Sequence, residues 1–316
     1  MTGTVYKSTG SWYTVKNHNG KFYECRIKGR FRLDGIKSTN PIAVGDKVVF
    51  DIEKKGDEET GVIKTIIDRD NFIVRKSVNL SKQTHVIASN IDQVFLLITI
   101  DNPPTFTSFI DRFLVTAEAY SIKTILIFNK IDTYDEDTLN EVKYLAHVYR
   151  KIGYECIGVS AKTGKNVDKV KTLMHNKTSM FSGHSGVGES TLVNSIEPAL
   201  HIKTKEISTQ HMQGQHTTTF AEMFDLNFGA KIIDTPGIKG FGVVDMDKEE
   251  VGDYFPEFFK LKQDCKFNNC LHVKEPKCAV KEALDKGDLE FSRYRSYLQI
   301  IEGEDEHYRT DNWDKE

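Results

Sequence analysis

The sequence has no apolar run long enough to cross a bilayer. Its first residues, Met1 to Gly10, lack the charged-then-apolar layout of a secretory leader. The expectation is a cytoplasmic protein with no membrane partner. Cysteine is sparse, with five in 316 residues. That argues against a disulfide framework and leaves metal binding open. Internal repeats and low-complexity segments are missing, and 39% of residues are hydrophobic, so a packed core is available and wholesale disorder is excluded. The length allows two or three domains, and nothing demands more than a monomer.

Charge is unevenly placed. The net value is −3, yet residues 1–50 hold nine Lys or Arg against three Asp or Glu, and residues 301–316 hold seven acids against two bases. A basic N-terminal region on an acidic protein suits a polyanionic partner, nucleic acid first, although a solvated charged surface has the same composition.

Residues 1–72 read as all-β. Alternating runs at Ser11 to Val15, Lys21 to Ile27 and Asp46 to Ile52 are separated by turn signals such as Asn19-Gly20 and Asp34-Gly35. This spacing predicts a small barrel. From 73 to 246 the pattern is α/β. Unbroken apolar runs at Gln93 to Ile100, Thr124 to Phe128, Cys156 to Val159, Ser179 to Phe181 and Lys231 to Ile233 suit strands buried on both faces. Helical stretches near Ser108 to Tyr120, Glu136 to Arg150 and Val167 to His175 lie between them, which predicts a mainly parallel sheet. Residues 247–316 form a third region, with helices expected at Glu249 to Leu261 and Leu289 to Ile301 around a Cys/His cluster.

Gly183, His184, Ser185, Gly186, Val187, Gly188, Glu189, Ser190 and Thr191 follow a short apolar run and open a helical stretch. This is the strand–loop–helix context of a phosphate-binding loop, whose glycines turn backbone N–H groups inward and whose helix N-terminus adds a favourable dipole. Ser190 stands where a hydroxyl ligand of Mg²⁺ belongs. One residue breaks the pattern: the position that ordinarily carries lysine holds Glu189. A like-charge pair at about 4 Å repels by roughly 4 kcal/mol at an effective dielectric near 20, less if Glu189 turns to solvent.

Asn129, Lys130, Ile131 and Asp132 end an apolar strand and match the NKxD pattern of guanine recognition. The Asp132 carboxylate can accept from guanine N1–H and N2 together, which adenine cannot supply. Asn129 can brace the pocket, and the Lys130 stem can lie on the base. Ser160, Ala161 and Lys162 also end a strand and match the element that offers a backbone N–H to guanine O6. Asp234, Thr235, Pro236 and Gly237 end another, where the Asp would hold Mg²⁺ through water and the Gly N–H would meet the γ-phosphate. Gly214 to Thr219, with Thr218 as a further Mg²⁺ contact, lie between the two phosphate motifs. Ile238 follows Gly237 where Ras-like enzymes use a glutamine to orient water, so slow intrinsic hydrolysis is expected, with His216 or a partner supplying the missing group. The guanine motifs precede the phosphate motifs, the reverse of the ordinary order, as a circular permutation produces.

Cys265, Cys270, His272 and Cys278 form a C-x4-C-x-H-x5-C cluster that suits one tetrahedral, structural Zn²⁺. Cys25 and Cys156 have no such neighbours.

These motifs together resemble the ribosome small-subunit-dependent GTPase A family, the RsgA or YjeQ type, over essentially the whole chain. The resemblance implies a circularly permuted P-loop GTPase domain, an N-terminal OB-fold barrel that contacts RNA, and a C-terminal helical zinc module. It implies a factor for late assembly of the small (30S) ribosomal subunit, with 16S rRNA, ribosomal proteins and GTP/GDP as partners and hydrolysis stimulated by the subunit. Two positions depart from that pattern: Glu189 stands in place of the family lysine, and Gln215 where arginine is common. The first leaves a second reading open, a non-hydrolysing ribosome-binding protein with a degenerate nucleotide site.

Overall fold

The computed structural model describes residues 1–27, 41–55, 58–76, 84–200, 221–234 and 246–303. Five strands form the N-terminal barrel: β1 (Thr2–Ser8), β2 (Tyr13–Asn17), β3 (Phe22–Ile27), β4 (Lys47–Lys55) and β5 (Glu58–Ile66). Closure comes from β1, which pairs with both β2 and β4, while β3 and β5 run parallel. Alternation along β2 sends Tyr13 and Val15 inward, where they meet Val5, Cys25, Phe50 and Ile63. The β2–β3 turn is set by Asn17, whose Oδ1 accepts from Asn19 N at 3.0 Å and Lys21 N at 2.9 Å, with Gly20 at φ +82.

A two-stranded hairpin, β6 (Phe72–Lys76) and β7 (Thr84–Ser89), follows the barrel. Buried Asp46 ties the two together. It accepts both arms of Arg69 at 2.7 Å, Ser89 Oγ at 2.6 Å and Ala43 N at 2.8 Å. A buried charge this fully partnered is tolerated where a lone one is not.

The α/β region contains β8 (Gln93–Ile98), α1 (Thr107–Ala119), β9 (Lys123–Phe128), α2 (Glu136–Ile152), β10 (Glu155–Gly158), α3 (Val167–Met174), β11 (Thr178–Gly183), α4 (Glu189–Ile196), β12 (Glu222–Asp225) and β13 (Lys231–Asp234). Spatial order is β10-β9-β8-β11-β13-β12, with only β12 antiparallel to its neighbour. Every residue of β8 is buried, because α1 and α2 cover one face of the sheet and α3 and α4 the other. Local chemistry sets α2: Asp135 caps Thr138 N at 2.9 Å, Glu136 and Asp137 begin the helix, and Arg150 and Lys151 end it before Gly153. No described helix is long and apolar enough to cross a membrane.

The sheet does not stop at β12. Barrel strand β1 pairs with it antiparallel through Lys7 and Glu222, giving one continuous sheet of eleven strands.

The C-terminal region corrects one expectation. Instead of a single helix over Glu249 to Leu261, a short α5 (Lys248–Val251) and a 3₁₀ turn at Gly252–Tyr254 precede α6 (Pro256–Lys262). Pro256 disfavours helical backbone at the residue before it, and Phe255 is extended at φ −101, ψ 103. After these come α7 (Ala279–Asp285), which the sequence reading missed, and α8 (Phe291–Glu302). Phe255, Phe258, Tyr294 and Tyr297 fill this core, with Val115 contributed by α1. Helix α8 also docks on α1 through fully buried Arg293, which donates to Asp111 Oδ1 at 2.6 Å and to both oxygens of Glu257.

Candidate nucleotide site and metal cluster

Three loops at the same end of the sheet carry the nucleotide motifs, from β9, β10 and β11. These strands lie within four consecutive positions of the parallel sheet, β10-β9-β8-β11, which gathers their C-terminal loops along one edge. Asn129 joins them. It is almost fully buried, its Nδ2 donates to Val187 O of the phosphate loop at 2.8 Å, and its Oδ1 accepts from Ala161 N at 3.1 Å. One N–H of the Ser160-Ala161-Lys162 element expected to offer a donor to guanine O6, that of Ala161, is thus already engaged. A base oxygen arriving there shares the donor or displaces Asn129 from it.

Asp132 is exposed at the mouth, and the Ser160 hydroxyl beside it holds its carboxyl below the ordinary range, so it stays ionised and able to accept. Ser160 Oγ in turn accepts from Thr163 N at 3.0 Å. Lys130, at φ +63, donates from Nζ to Asn102 O at 2.5 Å. Lys162 is exposed. Sequence reasoning missed Tyr134, which props the loop from below. Its hydroxyl donates to Asn129 O at 2.9 Å and accepts from Ile100 N at 3.0 Å. No motif marks it.

The phosphate loop runs from the end of β11 into α4. Gly183 has no room for a side chain: a Cβ would stand 2.9 Å from Leu97 O and 2.8 Å from Val187 Cγ2. Gly188 sits at φ +93 as the N-cap of α4, and a Cβ there would meet Asn129 Nδ2 at 2.5 Å. Gly186 is likewise left-handed, and Val187 is fully buried. His184 packs against Phe109 with ring centroids 3.7 Å apart, and burial lowers its pKa. Ser185 is exposed, whereas Ser190 is partly buried near the start of α4. Thr191 is exposed on the same turn.

Glu189 is the first residue of α4. A carboxylate there is favourable to the helix, since it faces the positive end of the backbone dipole. The conflict arises only with a phosphate. The residue therefore has two separate effects: it suits the start of the helix, and it reverses the charge that a lysine would bring.

Asp234 ends β13, beside the phosphate-loop strand β11. Burial and then the nearby Glu222 raise its pKa. Residues 214–219, including His216 and Thr218, and residues 235–238, including Gly237, lie outside the described residues.

Cys265, Cys270, His272 and Cys278 offer donor atoms that all lie within 4.8 Å of one another. His272 Nδ1 is 3.3 Å from Cys278 Sγ and 3.7 Å from Cys265 Sγ. A tetrahedral ion with Cys and His bonds near 2.0–2.3 Å sets donors roughly 3.3–3.8 Å apart, so the set fits a metal ion. Burial pushes the Cys270 thiol up to about 12, raises Cys278 as well, and keeps the His272 imidazole neutral. A second layer fixes the loop: Tyr294 and Tyr297 donate to His272 O and Leu271 O, each at 2.7 Å. Glu275 accepts from the N–H groups of Leu271, Val273 and Lys274.

The family model described as RsgA GTPase matches residues 66–244, and that of the RsgA N-terminal domain matches residues 2–63. The small ribosomal subunit biogenesis GTPase RsgA of Christiangramia forsetii is 72% identical over 315 residues, covering 100% of both chains. The protein of the same name from Flavobacterium johnsoniae is 68% identical over 311 residues, covering 98% of this chain and 96% of its own. The crystal structure of YjeQ from Thermotoga maritima is similar with a TM-score of 0.78 at 34% identity, covering 96% of this chain and 97% of that one. YloQ, described as a circularly permuted GTPase, gives 0.74 at 29% identity, with 96% and 94% covered.

Proposed function

The chain belongs to the RsgA GTPase family, and from that premise we propose that it binds GTP and GDP in the permuted nucleotide site and acts in the cytoplasm on the small ribosomal subunit during its biogenesis. The observation that carries the reading is Asn129, one buried side chain bonded to both the phosphate loop and the Ser160-Ala161 loop. Those bonds fix the distance between the place for a base and the place for its phosphates.

In this reading Asp132 selects guanine and the Lys130 stem covers the base. Backbone N–H groups of residues 183–191 cradle the phosphates. Ser190, Thr218 and Asp234 hold Mg²⁺, which neutralises developing charge on the phosphates when bound. Gly237 meets the γ-phosphate. Ile238 cannot orient water, so His216 or the subunit itself does, and hydrolysis is stimulated by 16S rRNA or a ribosomal protein. The Cys265, Cys270, His272 and Cys278 set holds a structural Zn²⁺. The barrel takes the RNA contact that its basic sequence suits, and the protein works as a monomer.

Glu189 reduces turnover in this chain, because it sets a carboxylate where the site needs a cation. The test is GTP hydrolysis with and without purified small subunits, for the chain and for Glu189→Lys. The expected result is subunit-stimulated turnover that rises strongly with lysine. Equal rates in both chains would remove Glu189 from the account. The second reading, a non-hydrolysing ribosome-binding protein, rests on Glu189 alone. It predicts subunit binding without nucleotide binding by calorimetry.

A further inference from the structure

Three charged residues stand in one row across the seam between barrel and nucleotide domain. Lys7 of β1 is the register partner of Glu222 of β12, and Glu222 is the register partner of Asp234 of β13. Directly opposed residues on antiparallel strands project from the same face with Cβ atoms about 4.5–5.5 Å apart. The row therefore reads cation, anion, anion, and its far end is the acid at the phosphate side of the nucleotide site. Lys7 Nζ lies 3.2 Å from Glu222 Oε2. The other acid of β12 is served by the barrel too: Asp225 receives Lys16 Nζ and the Tyr6 hydroxyl, the latter at 2.7 Å.

We propose that Lys7 is a positioning residue of the nucleotide site: the barrel supplies this cation to neutralise Glu222, so that the Glu222–Asp234 pair does not repel bound phosphate. The proposal rests on the nucleotide reading above. Without Lys7, Glu222 adds an uncompensated negative charge one strand from the Mg²⁺-side acid, in a site that already carries Glu189. Nucleotide binding and barrel docking are then linked, since whatever draws Lys7 away weakens the hold on phosphate, and bound nucleotide favours the docked barrel by the same factor.

The experiment is a double-mutant cycle in the full chain, in both the Glu189 and the Glu189→Lys backgrounds. Affinity for a fluorescent GDP analogue is measured with millimolar Mg²⁺ and again with a chelator. Lys7→Met is expected to weaken binding about three- to tenfold, more in the chelator than with Mg²⁺, as one partly screened charge at this range should. Lys7→Arg should bind as the parent does. Glu222→Gln should abolish the effect of Lys7→Met. Glu222→Gln alone should bind at least as tightly as the parent, because it removes the repelling acid, whereas undocking of the barrel by loss of the Lys7–Glu222 contact would weaken binding in that variant too. Weaker binding by Glu222→Gln, or a Lys7→Met effect that persists in it, overturns the proposal. An arginine variant as weak as the methionine one, or no effect of Lys7→Met, overturns it equally. If neither background binds the GDP analogue at all, the nucleotide reading fails and takes this inference with it.

Discussion

Asn129 and Val187 are joined by a 2.8 Å hydrogen bond from the Asn129 amide to a buried backbone carbonyl, across 58 residues of sequence. The same amide group accepts the Ala161 N–H. Asn129→Ala removes both partners and leaves a buried acceptor and a buried donor unpaired, at about 1–3 kcal/mol each. GDP affinity measured by calorimetry should fall at least tenfold, and the melting temperature should drop even without nucleotide. An alanine variant with unchanged affinity would show that the bridge does not set the pocket.

Glu189 makes predictions of opposite sign for function and for stability. Nucleotide affinity should rise in the order Glu, Gln, Lys at position 189, because the first change removes repulsion and the second adds attraction. Stability of the nucleotide-free protein should run the other way. A carboxylate at the first position of α4 is worth about 0.3–1 kcal/mol, and lysine there is unfavourable. Thermal melts without nucleotide, set beside binding isotherms, check both directions at once.

The metal cluster should depend steeply on pH. Burial holds Cys270 near 12 and raises Cys278, so both thiols are protonated at neutral pH before metal arrives, while His272 is already neutral. A bound ion takes thiolates, so binding releases those protons and apparent affinity climbs with pH, by about a factor of ten per pH unit for each proton released. Cys265 gives up its proton to a bound ion as well, so zinc competition assays between pH 6.5 and 8.5 should show a slope that approaches three at the acid end. Chelation, or Cys270→Ser, should melt the region of α5 to α8 before the nucleotide domain.

Arg293 is buried between α1 and α8, where Asp111 and both oxygens of Glu257 receive its guanidinium. Arg293→Ala strands two carboxylates and should cost about 3–5 kcal/mol. Burial already pushes the Asp111 carboxyl upward, against the pull of Arg293. In the variant that pull is gone, so the folded state binds a proton that the unfolded chain releases near its ordinary value of about 3.9. Below that value both states are protonated and the penalty is small. As pH rises, the folded variant must ionise a buried acid or hold its proton against the gradient, and its stability falls. Denaturant melts at pH 5 and pH 8 should show the larger loss at pH 8.

What the sequence made legible follows from where the signal is local. The run Gln93 to Ile100 announces a strand buried on both faces, and its first six residues form β8, paired on both edges and buried throughout. Asp135 and Gly153 bracket α2 with caps that any reader of the chain can see. The nucleotide motifs are dense because backbone and side chain must meet one fixed ligand, and so they stand out as short strings. The rest depends on tertiary context. The four residues of β12 carry no pattern of their own, yet they decide how the barrel meets the nucleotide domain. Tyr134 supports the guanine loop through a hydroxyl whose partners are 5 and 34 residues away. The expected helix over Glu249 to Leu261 fails at Phe255 and Pro256, where the restriction imposed by proline outweighs the apolar periodicity.

The eleven-stranded sheet has a mechanical consequence. Most of its strand junctions are stitched by three or more register pairs, but β1 meets β12 at a single pair, Lys7 with Glu222. That junction is a perforation in an otherwise continuous fabric. Beside that single pair, the bonds of Lys16 and Tyr6 to Asp225 and the node of Asp46, Arg69 and Ser89 tie the barrel to its neighbours. A pull on the barrel is delivered to β12 through these few contacts, and through one strand more to Asp234.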